Sequence, residues 1–405
     1  MFKWAKRFNP ANDAWAEEFS RRPEESPRQI AHDLEEAILG ARRQLVRDYR
    51  FSGPQAILWE LEDQRGQDDL PSLSTIKRVL LRHHGERGLV PPGRQGDPEA
   101  RYRPRGKAYP APPSGRANLL HQGDFVGPCY LSGGARFYSL HVVDVATRRA
   151  AVEPLETRHD EVLVEAVWRI WSRLGIPRCF QLDNELCFLG SHRYPRGTGQ
   201  LIRLCLRERV EPVFIPAGEP WRNSLVEKFN EQFEDKFLAA VYIRNLRHLK
   251  EAAMGFEHKH NRFFRYAALS GKTPNEAFAS EHGRHARLRL PETPTLVGQM
   301  PLPRAQRGTY RLIRFIRSDR LLDVFGERFL LPQRAVYEYV TASIDVKEQV
   351  LSVLLGGTDQ VASIPYPPDV RYGGRRSLHS PYGLVRLPPQ ASENRSKMSL
   401  RCLGL

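Results

Sequence analysis

Asp124 lies in the strand-like segment HQGDFVG, Asp183 ends the short apolar segment CFQLD, and Glu227 sits in the first turns of a helix that follows VFIP. In an open α/β sheet, residues at strand ends and at the start of a following helix converge on one crevice. Three carboxylates gathered there repel one another and rise in pKa unless cations offset their charge. Mg²⁺ suits such a set, being hard and oxygen-seeking, and two ions can clamp the attacking and leaving oxygens of an in-line phosphoryl displacement. Spacing alone does not single out these three among 47 acidic residues, so the elements that would position them come next.

From residue 121 the chain reads as three strands (HQGDFVGPCYL, FYSLHVVDV, RRAAVEPLE), then the helix DEVLVEAVWRIWSRLG, the strand CFQLD, the helix GQLIRLCLRERV, the strand VFIP and the helix carrying Glu227. That order predicts an α/β layer with an antiparallel start and a parallel continuation. On the last helix Val226, Phe229, Phe233 and Phe237 form the buried stripe, with Glu227, Glu231 and Glu234 on one flank. Glu227 is nearest the helix start, and Glu231 and Glu234 read as solvated. The segment GSHRYPRGTG reads as a surface loop.

Residues 28–90 read as an all-α region of three helices, the last (SLSTIKRVLLRHHG) capped by Ser72 or Ser74 and carrying Lys77, Arg78 and Arg82. This is the outline of a helix-turn-helix, with a plain small helical bundle as the alternative. Residues 1–27 form an N-terminal segment, and 91–117, rich in Pro, Gly and Arg, a basic linker. Residues 286–366 read as short strands of a small SH3-like β-barrel, with an arginine about every three positions from Arg304 to Arg320, Arg311 and Arg314 among them. The tail, 367–405, reads as disordered. The formal net charge is +15, heaviest over 286–405, where 18 basic side chains face 10 acidic ones. That excess favours a polyanionic partner. The five scattered cysteines contain no CxxC pair, which argues against a zinc ribbon and for reduced thiols. No apolar run is long enough to span a bilayer. The expected setting is cytoplasmic and nucleoid-associated, with no membrane partner.

Taken together, HQGDFVG, VVDVATRR, QLDNE and NSLVEKFN resemble the integrase catalytic core of DDE transposases, most closely those of IS481- and IS3-like insertion sequences and more distantly retroviral integrases. KTPNEAF (272–278) resembles the motif that closes such cores, and the resemblance extends over roughly residues 28–366. It implies a multidomain chain: a helix-turn-helix DNA-binding region (28–90), an RNase H-like catalytic core (118–285) and a small β-barrel DNA-binding domain (286–366). It implies that Asp124, Asp183 and Glu227 are catalytic and hold two Mg²⁺ (or Mn²⁺) ions. Asn184 and Asn223 become candidates for orienting those carboxylates. Lys77, Arg78, Arg82, Lys228, Arg311 and Arg314 become candidate DNA contacts. Asp144 falls on a non-catalytic position and reads as structural. His121 reads equally as a packed core histidine or a DNA contact. Three features depart from the family pattern: His121 replaces a tryptophan, Glu185 replaces the glycine that follows Asp-Asn, and 43 residues lie between Asp183 and Glu227, a longer interval than usual.

The implied activity is that of a homo-oligomeric transposase. It would bind double-stranded DNA at the ends of a mobile element, hydrolyse the 3′ ends and join each 3′-OH to target DNA. A DNA-binding protein of the same architecture that no longer cuts, and a nuclease that cuts without joining, are the alternatives. No ATPase motif is present, so any regulator would be a separate chain.

Overall fold

A computed structural model describes residue 8 and residues 30–67, 69–83, 107–131, 133–190, 196–282 and 288–367. The chain divides into two compact units, Met1–Arg94 and Gln95–Leu405. The expectations for 1–27, for most of the linker, for the centre of the 190–199 loop and for the tail lie outside the described residues.

The first unit holds α1 (His32–Arg47), α2 (Pro54–Arg65) and α3 (Leu73–Arg82). Ser72 caps α3 by accepting from the Thr75 amide at 3.2 Å. The helices share one apolar core, to which α1 gives Ile38, Leu39 and Leu45, α2 gives Ile57 and Leu61, and α3 gives Ile76 and Val79. Lys77, Arg78 and Arg82 are all exposed, and Arg82 also pairs with Glu35 at 3.3 Å. An all-α region is therefore present where periodicity placed it.

The second unit is built on a nine-stranded mixed sheet in the order β11-β10-β9-β6-β5-β4-β1-β2-β3. Strands β1 (Leu120–Tyr130), β2 (Arg136–Asp144) and β3 (Ala150–Leu155) form an antiparallel meander. β4 (Cys179–Leu182) and β5 (Glu211–Phe214) continue in parallel from β1. This is the expected antiparallel start and parallel continuation. Helices α4 (Asp160–Leu174), α5 (Leu186–Leu189) and α6 (Gln200–Arg207) follow. α4 buries both Trp168 and Trp171 in the main core with Phe125, Phe180 and Leu182. Gly123 has no side chain because a Cβ there would lie 2.6 Å from the Phe180 ring. The loop after α5 is pinched at its base, where a Cβ on Gly190 would come within 2.7 Å of the Gly199 Cα. α7 (Ser224–Phe233) runs into a π-turn at Glu234–Leu238, and α8 (Leu246–Phe263) and α9 (Pro274–His282) follow.

The strands expected over 286–366 are present, but they do not stand apart as a small barrel. β6 (Thr309–Phe315) pairs in parallel with β5 through Val213↔Arg311 and Phe214↔Leu312. β9 (Tyr339–Asp345), β10 (Val350–Leu355) and β11 (Asp359–Pro365) extend the same sheet antiparallel. β7 (Leu321–Val324) and β8 (Glu327–Leu330) form a separate hairpin. The described pairings leave an open sheet. The physical reason is that β5 offers an unpaired edge, and β6 satisfies it with main-chain hydrogen bonds while burying Leu312 and Ile313. Only the end of the linker is described. Where it is described, from residue 107, Tyr109 packs edge-on against Tyr339, with ring centroids 5.3 Å apart.

Candidate active site

Side chains at i and i+2 of a strand share a face. Gln122 and Asp124 therefore point the same way from β1, while Gln181 lies in β4 and Asp183 directly follows its end, accepting from the Glu185 amide at 3.0 Å. The two glutamines are register partners across the parallel pair. Both reach the same acceptor: Gln122 Nε2 donates to the Arg222 carbonyl at 3.2 Å, and Gln181 Nε2 donates to it at 2.8 Å. Gln122 Oε1 also accepts from the amides of Leu225 and Val226 at 3.1 and 3.4 Å. These amides open α7 and have no partner inside the helix. The glutamines that precede the two aspartates thus fix the helix that carries Glu227.

Asn223, at the start of α7, donates to the Gly123 carbonyl at 3.0 Å and accepts from Gln181 at 3.4 Å. It holds the β1 backbone beside Asp124 and bonds to the main chain, not to a carboxylate. Asn230 touches the carboxylate itself, its Nδ2 donating to Asp124 Oδ2 at 2.8 Å. Its oxygen lies 2.7 Å from His141 Nδ1, and His141 Nε2 lies 2.9 Å from Ser139 Oγ. Burial holds His141 down to about 3, so it is neutral. The network then assigns the proton to Nδ1. Asn230 is one helical turn beyond Glu227, and that i, i+3 spacing was its signal in the sequence.

Burial raises the pKa of Asp124 to about 8, with Asp183, Glu185 and Glu227 adding repulsion and the Phe125 amide opposing. Burial likewise raises Asp183 to about 7, with Glu185 and Glu227 adding to it and the Glu185 amide and Arg158 opposing. The three expected carboxylates therefore lie within one another's field. Glu231 and Glu234 are exposed. Glu185 is half-buried and paired with Arg158 at 2.5 Å, and the Arg158 guanidinium lies 4.8 Å from the centroid of the Tyr138 ring. Among the described residues, no three His, Cys, Asp or Glu side chains stand close enough to hold a metal ion as placed. The donor set nonetheless fits a hard divalent cation in its chemistry, because these are oxygen ligands whose mutual repulsion such a cation would relieve.

The other expected residues are placed as follows. Asn184 turns away from the acids, donating to the Ile215 carbonyl at 2.7 Å and accepting from Arg314 at 2.8 Å. Arg314 is engaged within the protein. Its guanidinium is also bonded to the carbonyls of Ile215, Ile313 and Asp323, and burial lowers its pKa to about 10. Arg311 is half-buried and paired with Glu211. His121 is a core residue, fully buried, with Nε2 2.9 Å from Asn118 Oδ1. Asp144 is structural, accepting from the amides of Asn118 and Ala146 at 2.9 Å each. Lys228 is exposed beside Glu227.

Residues 208–274 match the family model described as the integrase core domain. Over that span the chain is similar to integrase core domains. The matched span runs from β5 through Glu227 and Asn230 to the start of α9, and lies C-terminal to Asp124 and Asp183. Among solved structures, the catalytic core domain of HTLV-2 integrase in complex with magnesium, in its trimeric form, is 19% identical, covering 40% of this chain and 97% of its own, with a TM-score of 0.32. The dimeric form is also 19% identical, covering 41% and 99%, with a TM-score of 0.32. The catalytic core domain of BIV integrase is 16% identical, covering 42% and 99%, with a TM-score of 0.32. No curated protein matches the chain. No helix among the described residues is long and apolar enough to cross a membrane.

Proposed function

We propose that the integrase core of this chain is a DDE-type transposase site, with Asp124, Asp183 and Glu227 as its three carboxylates. The observation that carries this reading is the paired Gln-x-Asp arrangement on β1 and β4. It sets one aspartate in β1 and the other just past the end of the adjacent β4, and uses their neighbouring glutamines to seat the helix bearing the glutamate. Two Mg²⁺ or Mn²⁺ ions, when bound, supply charge neutralisation and activation of the attacking oxygen. Asp124, Asp183 and Glu227 would hold them. Asn230 fixes the orientation of the Asp124 carboxylate, and Asn223 fixes the strand beneath it. Lys77 and Arg78, exposed on α3, together with Lys228, would contact DNA phosphates in a salt-dependent way. The activity would be 3′-end hydrolysis followed by joining of the 3′-OH to target DNA, carried out by a homo-oligomer that pairs two element ends.

Glu185 favours a second reading. It adds a fourth acid and an arginine pair where the resemblance has glycine, as in a DNA-binding protein that has stopped cutting. The test uses duplex oligonucleotides copied from the DNA flanking the gene, with Mn²⁺ or Mg²⁺. The transposase reading expects nicked and joined products from the wild type and none from Asp183→Asn. Binding without cleavage supports the second reading, and cleavage without joining supports a plain nuclease. Equal cleavage by Asp183→Asn would remove the site assignment.

A further inference from the structure

The turn that leads into α7 is held from two directions, and Arg222 is the joint between them. Its carbonyl accepts from Gln122 and Gln181, on the strands that carry the aspartates. Its guanidinium points the other way, toward the C-terminal strands. Nε donates to Glu219 Oε2 at 3.0 Å, and Nη2 donates to the Tyr339 hydroxyl at 2.9 Å. That hydroxyl, on β9, donates in turn to the Glu219 carboxylate, 2.9 Å from both oxygens. Tyr109 closes the cluster, its ring centroid 3.8 Å from the guanidinium carbon. Glu219 is 7% exposed and Tyr339 1%.

A largely buried ion pair such as Arg222–Glu219 contributes little net stability compared with well-packed apolar side chains, and fixing geometry is a role that such pairs can serve. We infer that Tyr339, Glu219 and Arg222 form a positioning latch through which the C-terminal strands set the seat of α7, and with it the place of Glu227 opposite Asp124 and Asp183. The C-terminal segment is then part of the frame of the active site. This inference rests on the three-carboxylate reading for its consequence in catalysis, but the latch itself has a readout independent of activity.

The test compares the full-length wild type with Tyr339→Phe, which keeps the ring contacts with Tyr109 and Phe315 and removes the hydroxyl. Hydrogen exchange at the Leu225 and Val226 amides is expected to quicken about fivefold or more, while the amides of β1 and β4 keep their rates. In Mn²⁺-dependent cleavage of duplex DNA, kcat is expected to fall about tenfold or more, with KM and DNA affinity held within about twofold. Glu219→Gln should give a similar loss, and the double variant should be no worse than either single one. Unchanged exchange in α7, an unchanged kcat, or multiplicative losses would each overturn the latch. If the wild type cleaves nothing, the three-carboxylate reading fails by itself, and the exchange measurement still decides whether the latch exists.

Discussion

The side-chain amide of Asn230 donates to Oδ2 of Asp124 at 2.8 Å, and its oxygen is held by a neutral His141. This fixes one oxygen of a half-buried carboxylate from a helix otherwise seated by the glutamines of β1 and β4. Asn230→Ala should leave that carboxylate free to rotate. DNA cleavage is expected to fall about tenfold or more, with DNA affinity unchanged, as measured by steady-state kinetics beside fluorescence anisotropy.

The raised aspartates set the pH dependence of stability. Asp124 stands at about 8 and Asp183 at about 7, both above the ordinary value of 3.8. Between those values each aspartate binds more protons in the folded chain than in the unfolded one, so its contribution to stability falls as pH rises. The buried histidines His121, His141 and His260, lowered by burial from 6.5 to about 3, 3 and 4, act in the opposite sense below about 6.5, so the unopposed fall lies between about pH 6.5 and 8. Thermal melts without metal across that range should show a decreasing Tm. Adding Mn²⁺ should raise Tm more at pH 8 than at pH 5, because the ion binds the ionised carboxylates.

Glu185 adds to the repulsion that raises Asp183. Glu185→Gln should therefore lower the Asp183 pKa and move the acidic limb of the pH–rate profile to lower pH. An unmoved limb would mean that Asp183 does not govern it.

Gln122 bridges two helix-opening amides and a carbonyl. Gln122→Leu should strand these groups and cost about 1–3 kcal/mol, read from denaturant unfolding. Gly123→Ala, one residue further on, forces a Cβ to within 2.6 Å of Phe180, and overpacking of that kind costs about 1–3 kcal/mol.

Much of this arrangement was legible from local pattern. The strands and helices of the core follow apolar periodicity, and Val226, Phe229 and Phe233 are buried as the helical stripe requires. What was not legible depends on contacts distant in sequence. The β5–β6 pairing joins residues such as Phe214 and Leu312 through main-chain atoms, which leave no side-chain signature. Arg311 and Arg314 looked like one basic stripe. In a strand, residues three apart face opposite sides, so one pairs with Glu211 and the other turns to Asn184 and backbone carbonyls. Gln122 and Gln181 were visible in QGD and QLD, but their role required knowing that the two strands are adjacent.

The central claim is that Asp124, Asp183 and Glu227 share a divalent cation. Calorimetric titration of Mn²⁺ into the full-length chain at pH 7.5 addresses it directly, alongside Asp124→Asn, Asp183→Asn and Glu227→Gln. Saturable binding with proton release by the wild type, weakened about tenfold or more in each variant, is the expected result. Binding that survives unchanged in Asp183→Asn or Glu227→Gln would contradict it.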